Sequence, residues 1–114
     1  MIPLRTLIPD VSSLLALSTA DLAGYVFESL MSAGHSDSGM WNRRNFCSYA
    51  MSEYSTAGQS KDMQVGIACS AAWLWIEVNG LICKHPEDGS DWSMATQLGI
   101  ALGNRHEVKQ LVSL

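Results

Sequence analysis

The chain has 114 residues, of which 47% are hydrophobic and 16% are charged, so we expect one folded domain rather than a disordered segment. The longest apolar run is too short to span a bilayer and the first residues lack the pattern of a signal peptide, so we expect a cytoplasmic protein. Seven basic residues against eleven acidic ones give a net charge of −4, which argues against a strongly electrostatic nucleic-acid binder.

Three helices are predicted in the first half of the chain, from the spacing of apolar residues and from capping signals. The first is short, at about 10–17. The second, at 19–33, follows Ser18, whose hydroxyl is suited to cap the first turn. The third is expected at 41–54, with Asn42 as its candidate N-cap.

A longer helix is predicted from about Ser60 or Lys61 to Asn79, and Gly80 is the type of residue that follows a last helical turn. The apolar residues of this helix fall on two separate arcs. One of them, about 80° wide at 100° per residue, contains Met63, Ile67, Ala71, Leu74 and Val78. Such a helix must be covered on two sides, either by its own fold or by a partner.

A β-hairpin is predicted at about 81–95, directly after the long helix. Its strands are expected at 81–85 and 92–95, because both segments are rich in strand-forming residues and a polar turn separates them. Asp88-Gly89 lies in that turn and tolerates the backbone reversal that a hairpin needs. Thr96 is then expected to cap a closing helix.

Residues 60–103 resemble the second half of winged-helix domains. The residues that carry this resemblance are Leu74-x5-Gly80-Leu81-Ile82, followed by Pro86-x-Asp88-Gly89-x2-Trp92-x3-Thr96-x2-Gly99-x2-Leu102. In that family the glycine ends the recognition helix, Leu-Ile begins the first wing strand, and Thr-x-x-Gly closes the second strand onto a helix. The resemblance implies a mainly α, winged helix-turn-helix fold over 1–114, with four to five helices and a two-stranded wing.

A narrower likeness lies within the long helix and the start of the hairpin. The segment Ala71-Ala72-Trp73-Leu74-Trp75-Ile76-Glu77-x2-Gly80-Leu81-Ile82 is similar to a winged-helix segment at the N-terminus of bacterial abortive-infection and HEPN-type proteins. HEPN ribonucleases carry an arginine followed four to six residues later by a histidine, and no arginine of this chain has that neighbour. The likeness therefore implies an accessory module of a prokaryotic defence or toxin system, without the nuclease.

Two surfaces are candidates for binding a partner. Trp73 and Trp75 lie about 200° apart on an ideal helix, so either both are buried or one faces outward as an anchor. The first candidate surface contacts a protein or a second copy and combines tryptophans with an acidic wing: Trp75, Glu87, Asp88, Asp91 and Trp92. The second contacts duplex DNA through polar and basic residues: Arg43, Arg44, Gln59, Ser60, Lys61, Gln64 and Lys84.

Protein interaction fits the charges better than DNA binding does. The long helix and the wing offer Lys61 and Lys84, and four acidic residues oppose these two lysines. Our hypothesis is a non-catalytic regulatory module that takes a protein partner or a second copy of itself. The alternative is a transcription regulator that recognises a duplex DNA sequence.

No metal site, cofactor or catalytic centre is expected. The three cysteines, Cys47, Cys69 and Cys83, form no CxxC pair, and the three histidines are scattered, so we expect reduced thiols and no zinc. Ser, Asp and His do occur together in the loop 34–39. Neighbours in one loop point in different directions and do not converge as a catalytic triad requires, so we expect no enzyme.

Overall fold

The computed structural model of the chain describes residues 1–32, 40–59, 61–87 and 92–102. Within these ranges the fold is mainly helical and contains a three-stranded antiparallel sheet. The elements in chain order are α1 (Leu4–Leu7), α2 (Val11–Ala16), α3 (Thr19–Met31), β1 (Trp41–Asn42), α4 (Arg43–Thr56), α5 (Asp62–Val78), β2 (Ile82–Lys84), β3 (Trp92–Ala95) and α6 (Gln97–Leu102). No helix in the described ranges is both long and apolar enough to pass through a bilayer.

Short polar side chains set where α2, α3 and α4 begin, and the caps of α3 and α4 are those that the sequence predicts. The hydroxyl of Ser18 accepts a hydrogen bond from the Asp21 N–H at 3.1 Å, at the start of α3. The side-chain oxygen of Asn42 accepts one from the Asn45 N–H at 3.0 Å, at the start of α4. Asp10 caps α2 in the same way. Each cap satisfies an amide that has no partner within its helix, which fixes the first residue of the helix.

The core forms where α5 packs against α3 and α4. The inward side of α5 buries Val65, Cys69, Ala72, Trp73 and Ile76. The ring of Trp73 lies against Phe46 of α4, with ring centroids 5.9 Å apart, and both side chains are buried. The longest predicted helix therefore lies at the centre of the fold. Because one side of α5 packs against α3 and α4, its opposite side faces outward.

Two short elements were not predicted from the sequence. Helix α1 precedes the expected first helix and buries Leu4. Strand β1 lies immediately before α4 and pairs with β3, with Trp41 opposite Ser93, so the sheet has the order β1-β3-β2. The predicted hairpin is present as β2 and β3, and β1 adds a third strand that was not expected. The expectation of four to five helices is corrected to six within the described residues. Residues 88–91 of the predicted hairpin turn lie outside the described residues, as do the residues after Leu102.

The junction between α5 and the hairpin explains the predicted motif of Gly80, Thr96 and Gly99. Gly80 has a φ of +76°, which a residue with a Cβ rarely adopts, and it ends α5. The hydroxyl of Thr96 donates to the Gly80 carbonyl oxygen at 2.5 Å and accepts a hydrogen bond from the Gly99 N–H at 3.1 Å. A methyl group on Gly99 would overlap the carbonyl oxygen of Leu81. Helix α6 therefore closes onto the start of β2 only when a glycine stands there.

Candidate functional site

The outward side of α5 carries a continuous row of exposed apolar side chains. Met63 is 70% exposed, Ile67 62%, Leu74 59% and Val78 75%, and Ala71 between them is also exposed. We call these five residues the α5 stripe. The sequence predicts this apolar arc and that the fold or a partner must cover it. In the described part of the chain its side chains are instead exposed to solvent. A contiguous apolar patch on a small protein is typical of a binding surface.

Two cavities adjoin the α5 stripe and meet at the middle of the helix. The first, of about 390 Å³, is lined by Ala71 and Leu74 of the stripe and by the N-terminal turn of α4. The second, of about 440 Å³, is lined by Met63 and Ile67 and by the same turn. Ser70, at the midpoint of α5, lines both. The cavities and the stripe together form one open groove along α5.

The groove is positively charged although the whole chain is acidic. Arg43 and Arg44 line both cavities, and Lys84 of β2 lines the first. Among the described residues that line the first cavity, the one carboxylate is that of Glu77, which accepts a hydrogen bond from Trp73 Nε1 at 3.1 Å. Three cations against one anion give the described lining residues of this cavity a net charge of +2, whereas the chain has a net charge of −4. The Asn42 cap fixes the arginines there, because it determines where α4 begins.

Three of the residues predicted to contact DNA therefore come together in this groove: Arg43, Arg44 and Lys84. Gln59 has a different role, because its side chain accepts a hydrogen bond from the Val11 N–H at 2.6 Å and donates one to the Pro9 carbonyl oxygen at 3.1 Å. It thereby ties the start of α2 to the connection between α4 and α5.

The other residues predicted to contact DNA lie around the first turn of α5. Lys61 and Gln64 are exposed there, and Lys61 is the N-cap residue of α5. Ser60 lies outside the described residues. The basic groups of this predicted surface thus concentrate at α4 and β2 rather than at the start of α5.

The residues predicted to contact a protein are placed less favourably than the α5 stripe. Trp73 is buried, and Trp75 is half-buried and packs against the core. Glu87 and Trp92 are exposed at the end of the hairpin where β2 leads toward β3, and there the His85 N–H donates to the Trp92 carbonyl oxygen at 2.8 Å. Asp88 and Asp91 lie outside the described residues.

The stripe residues were missing from both predicted surfaces, although the sequence contained a signal for them. Their common arc was visible from the helical spacing, as was the need of α5 for cover on two sides. Which arc meets the core depends on how α3 and α4 pack, and that is not a local property of the helix.

The buried thiols favour the neutral state. Removal from water raises the pKa of the Cys47 and Cys69 thiols, that of Cys69 to about 12. The Cys47 sulfur lies 3.6 Å from the Ser70 hydroxyl oxygen, in the wall of the groove. A protonated thiol is a poor nucleophile, so Cys47 and Cys69 are suited to packing. Among the described residues, no group of three His, Cys, Asp or Glu side chains is placed to hold a metal ion.

Comparison of the chain with models of known protein families, with curated proteins and with solved structures finds no match. The chemistry of the groove is therefore the basis on which a function is inferred.

Proposed function

We propose that this chain is a non-catalytic, winged-helix binding module that takes a protein partner through the α5 stripe. The order of elements supports the winged-helix assignment. Helices α4 and α5 are joined by the five residues 57–61, Gly80 ends α5, and the β2–β3 hairpin follows in the position of a wing. Strand β1 ties that hairpin to the start of α4.

The exposed apolar character of the α5 stripe is the observation that carries the proposal. A recognition helix in the major groove of DNA reads base edges with hydrogen-bonding side chains. The stripe presents methyl, methylene and thioether groups in those positions, which bind well only against another apolar surface. A partner protein would remove this area from water, and each of the four large side chains would contribute at most about 1.5–3 kcal/mol before the cost of association.

The cellular setting of the proposal comes from the likeness to abortive-infection and HEPN-type segments. On that likeness we propose that the module acts in the cytoplasm of a prokaryote, as an adaptor or sensor in a defence or toxin system. The three cysteines are unpaired, as expected for a reducing compartment.

The test is affinity capture with the full chain after nuclease treatment, comparing wild type with Ile67→Asp. Tyr49→Asp is the matched control, because Tyr49 is 63% exposed but lies on α4 outside the stripe. We expect wild type and Tyr49→Asp to retain the same proteins and Ile67→Asp to lose them, with the fold of each variant checked by circular dichroism. Equal retention by all three, or retention that requires nucleic acid, would contradict the proposal.

Duplex DNA is the second candidate, and the convergence of Arg43, Arg44 and Lys84 on one cavity favours it. If these three cations each contact a phosphate, raising the salt from 50 to 200 mM would weaken binding of the duplex by about 40-fold. Fluorescence anisotropy with a labelled duplex measures this directly. We expect Arg43→Ala to lower the salt slope by about one if the DNA occupies this cavity.

A further inference from the structure

The α5 stripe has the length and form of a helix-binding groove. From Met63 to Val78 it spans 16 residues, or about 22 Å along the helix axis. Its apolar residues recur at intervals of three and four, which is the spacing that a second amphipathic helix presents from the other side. The N-terminal turn of α4 forms one wall of the groove, so a bound helix would lie beside the arginines of that turn.

The charge of that wall indicates the chemistry of the occupant. Arg43 and Arg44 are exposed and line both halves of the groove, and Lys84 adds a third cation at one end. A guanidinium group pairs with a carboxylate through two parallel hydrogen bonds, so the arginines select acidic side chains on the occupant. A helix with basic flanks would face three like charges.

A second copy of this chain fits the groove poorly. A two-fold interface presents the same patch on both subunits. Ser70 marks the midpoint of α5 and lies between the two cavities that the arginines line. Antiparallel pairing of two stripes, about a two-fold axis that crosses that midpoint, would bring the two copies' Arg43 and Arg44 to the same side of the interface, where their like charges would repel.

The chain's own segment 103–114 also has the wrong charge. Its side chains include Arg105 and Lys109 against Glu107, which gives a net charge of +1. A segment of the same sign as the groove gains no electrostatic attraction there. An acidic helix from another protein remains as the occupant that satisfies both the apolar stripe and the cations.

We infer that the groove of the α5 stripe binds an acidic amphipathic helix of a partner protein, with its apolar residues on the stripe and its carboxylates against Arg43 and Arg44. This inference rests on the proposed function and adds the charge and secondary structure of the partner. The cations then determine which helices are accepted, and the stripe supplies most of the affinity.

The test uses the full chain and two labelled, designed helical peptides of about 18 residues, enough to span the stripe. Both carry leucines at i, i+3, i+4 and i+7, and they differ only in having glutamates or lysines along the flanks. Fluorescence anisotropy at 150 mM salt is expected to show about tenfold tighter binding of the glutamate peptide. Arg43→Glu is expected to remove or reverse this preference, whereas Arg5→Glu, which reverses the same charge on α1, leaves it in place.

Four outcomes separate this inference from the proposed function. Equal binding of the two peptides, with loss in Ile67→Asp, overturns the acidic partner and leaves a protein-binding stripe. Binding of neither peptide overturns the inference, and the affinity capture described above then decides the proposed function by itself. Sedimentation that shows a dimer abolished by Leu74→Asp identifies a second copy as the occupant. Displacement of the glutamate peptide by duplex DNA overturns both.

Discussion

The two sides of α5 have similar composition and opposite surroundings. The inward side meets α3 and α4 and excludes water from its five residues: Val65, Cys69, Ala72, Trp73 and Ile76. The outward side, the α5 stripe, meets solvent and a wall of cations. A helix that is apolar on both sides is expected to be covered on both sides. The difference indicates that the inward side stabilises the fold and the outward side is available for a partner.

The largest expected effect is a difference in the free energy of unfolding between substitutions of two neighbouring residues, one on each side of α5. Trp73→Ala removes a buried ring that packs on Phe46, so we expect a loss of about 3–5 kcal/mol in the free energy of unfolding. Leu74→Ala lies one residue further, on the stripe, and is expected to change that free energy by about 0.5 kcal/mol or less. Urea denaturation followed by circular dichroism measures both. A loss of several kcal/mol in Leu74→Ala would show that the stripe is part of the core.

The inward side should also make stability depend on alkaline pH. Burial raises the pKa of the Cys69 thiol to about 12 and raises the pKa of the Tyr54 phenol as well. The folded state therefore keeps protons that the unfolded chain releases above about pH 9, so the free energy of unfolding falls as the pH rises from about 9 to 12. Below about pH 9 both states hold these protons and the contribution is fully present.

Two cysteine variants test this dependence. Cys69 contributes at most about 1.4 kcal/mol per pH unit, so Cys69→Ala is expected to flatten the loss of stability between pH 9 and 10.5. Cys83→Ala is the control, because Cys83 is exposed on β2. Urea titrations at several pH values give the slopes. Equal pH slopes of the free energy of unfolding in wild type and Cys69→Ala would show that a group other than Cys69 causes the loss of stability.

The elements that the sequence predicts well are those with local signals. Ser18 and Asn42 begin helices because each lies three residues before an amide that it caps, and Gly80 ends α5 with a positive φ. Strand β1 has no such signal, since two residues show no periodicity. Trp41 pairs with Ser93, about fifty positions further along the chain, and a pairing at that distance leaves no local pattern in the sequence.

The candidate site was predictable only in part, for a similar physical reason. The helical spacing predicts which residues share the arc of the stripe. It does not predict that α3 and α4 pack against the other arc. The helical spacing leaves open whether Trp75 is buried or faces outward as an anchor, and the packing of α5 leaves it half-buried against the core. Arg43 and Lys84 are far apart in the sequence, and the sheet brings them to one cavity through the pairing of β1 and β2 with β3.

A smaller effect is expected from two glycines that lie on helices and differ in their neighbours. Gly99→Ala places a methyl group against the Leu81 carbonyl oxygen, so we expect a loss of about 1–3 kcal/mol. Gly66→Ala places its methyl group 3.0 Å from the sulfur of Met51, whose flexible side chain lies in the wall of the open groove. The sulfur has room to move, so this variant is expected to be neutral or to gain up to about 1 kcal/mol. Thermal unfolding compares the two. Equal destabilisation would mean that the groove is as tightly packed as the hairpin junction.

The smallest expected effect concerns the cap that positions the wall of the groove. Asn42→Ala removes the acceptor for the Asn45 N–H, so we expect a loss of about 1 kcal/mol in stability. Asn45→Ala is the control, because its amide remains capped and its own side chain is exposed. Since α4 begins at Arg43, loosening its first turn lets the arginines leave the groove. We therefore expect Asn42→Ala to weaken the preference for the glutamate peptide over the lysine peptide, whereas Asn45→Ala keeps it. An unchanged preference in Asn42→Ala would show that the arginines act without a fixed position beside the stripe.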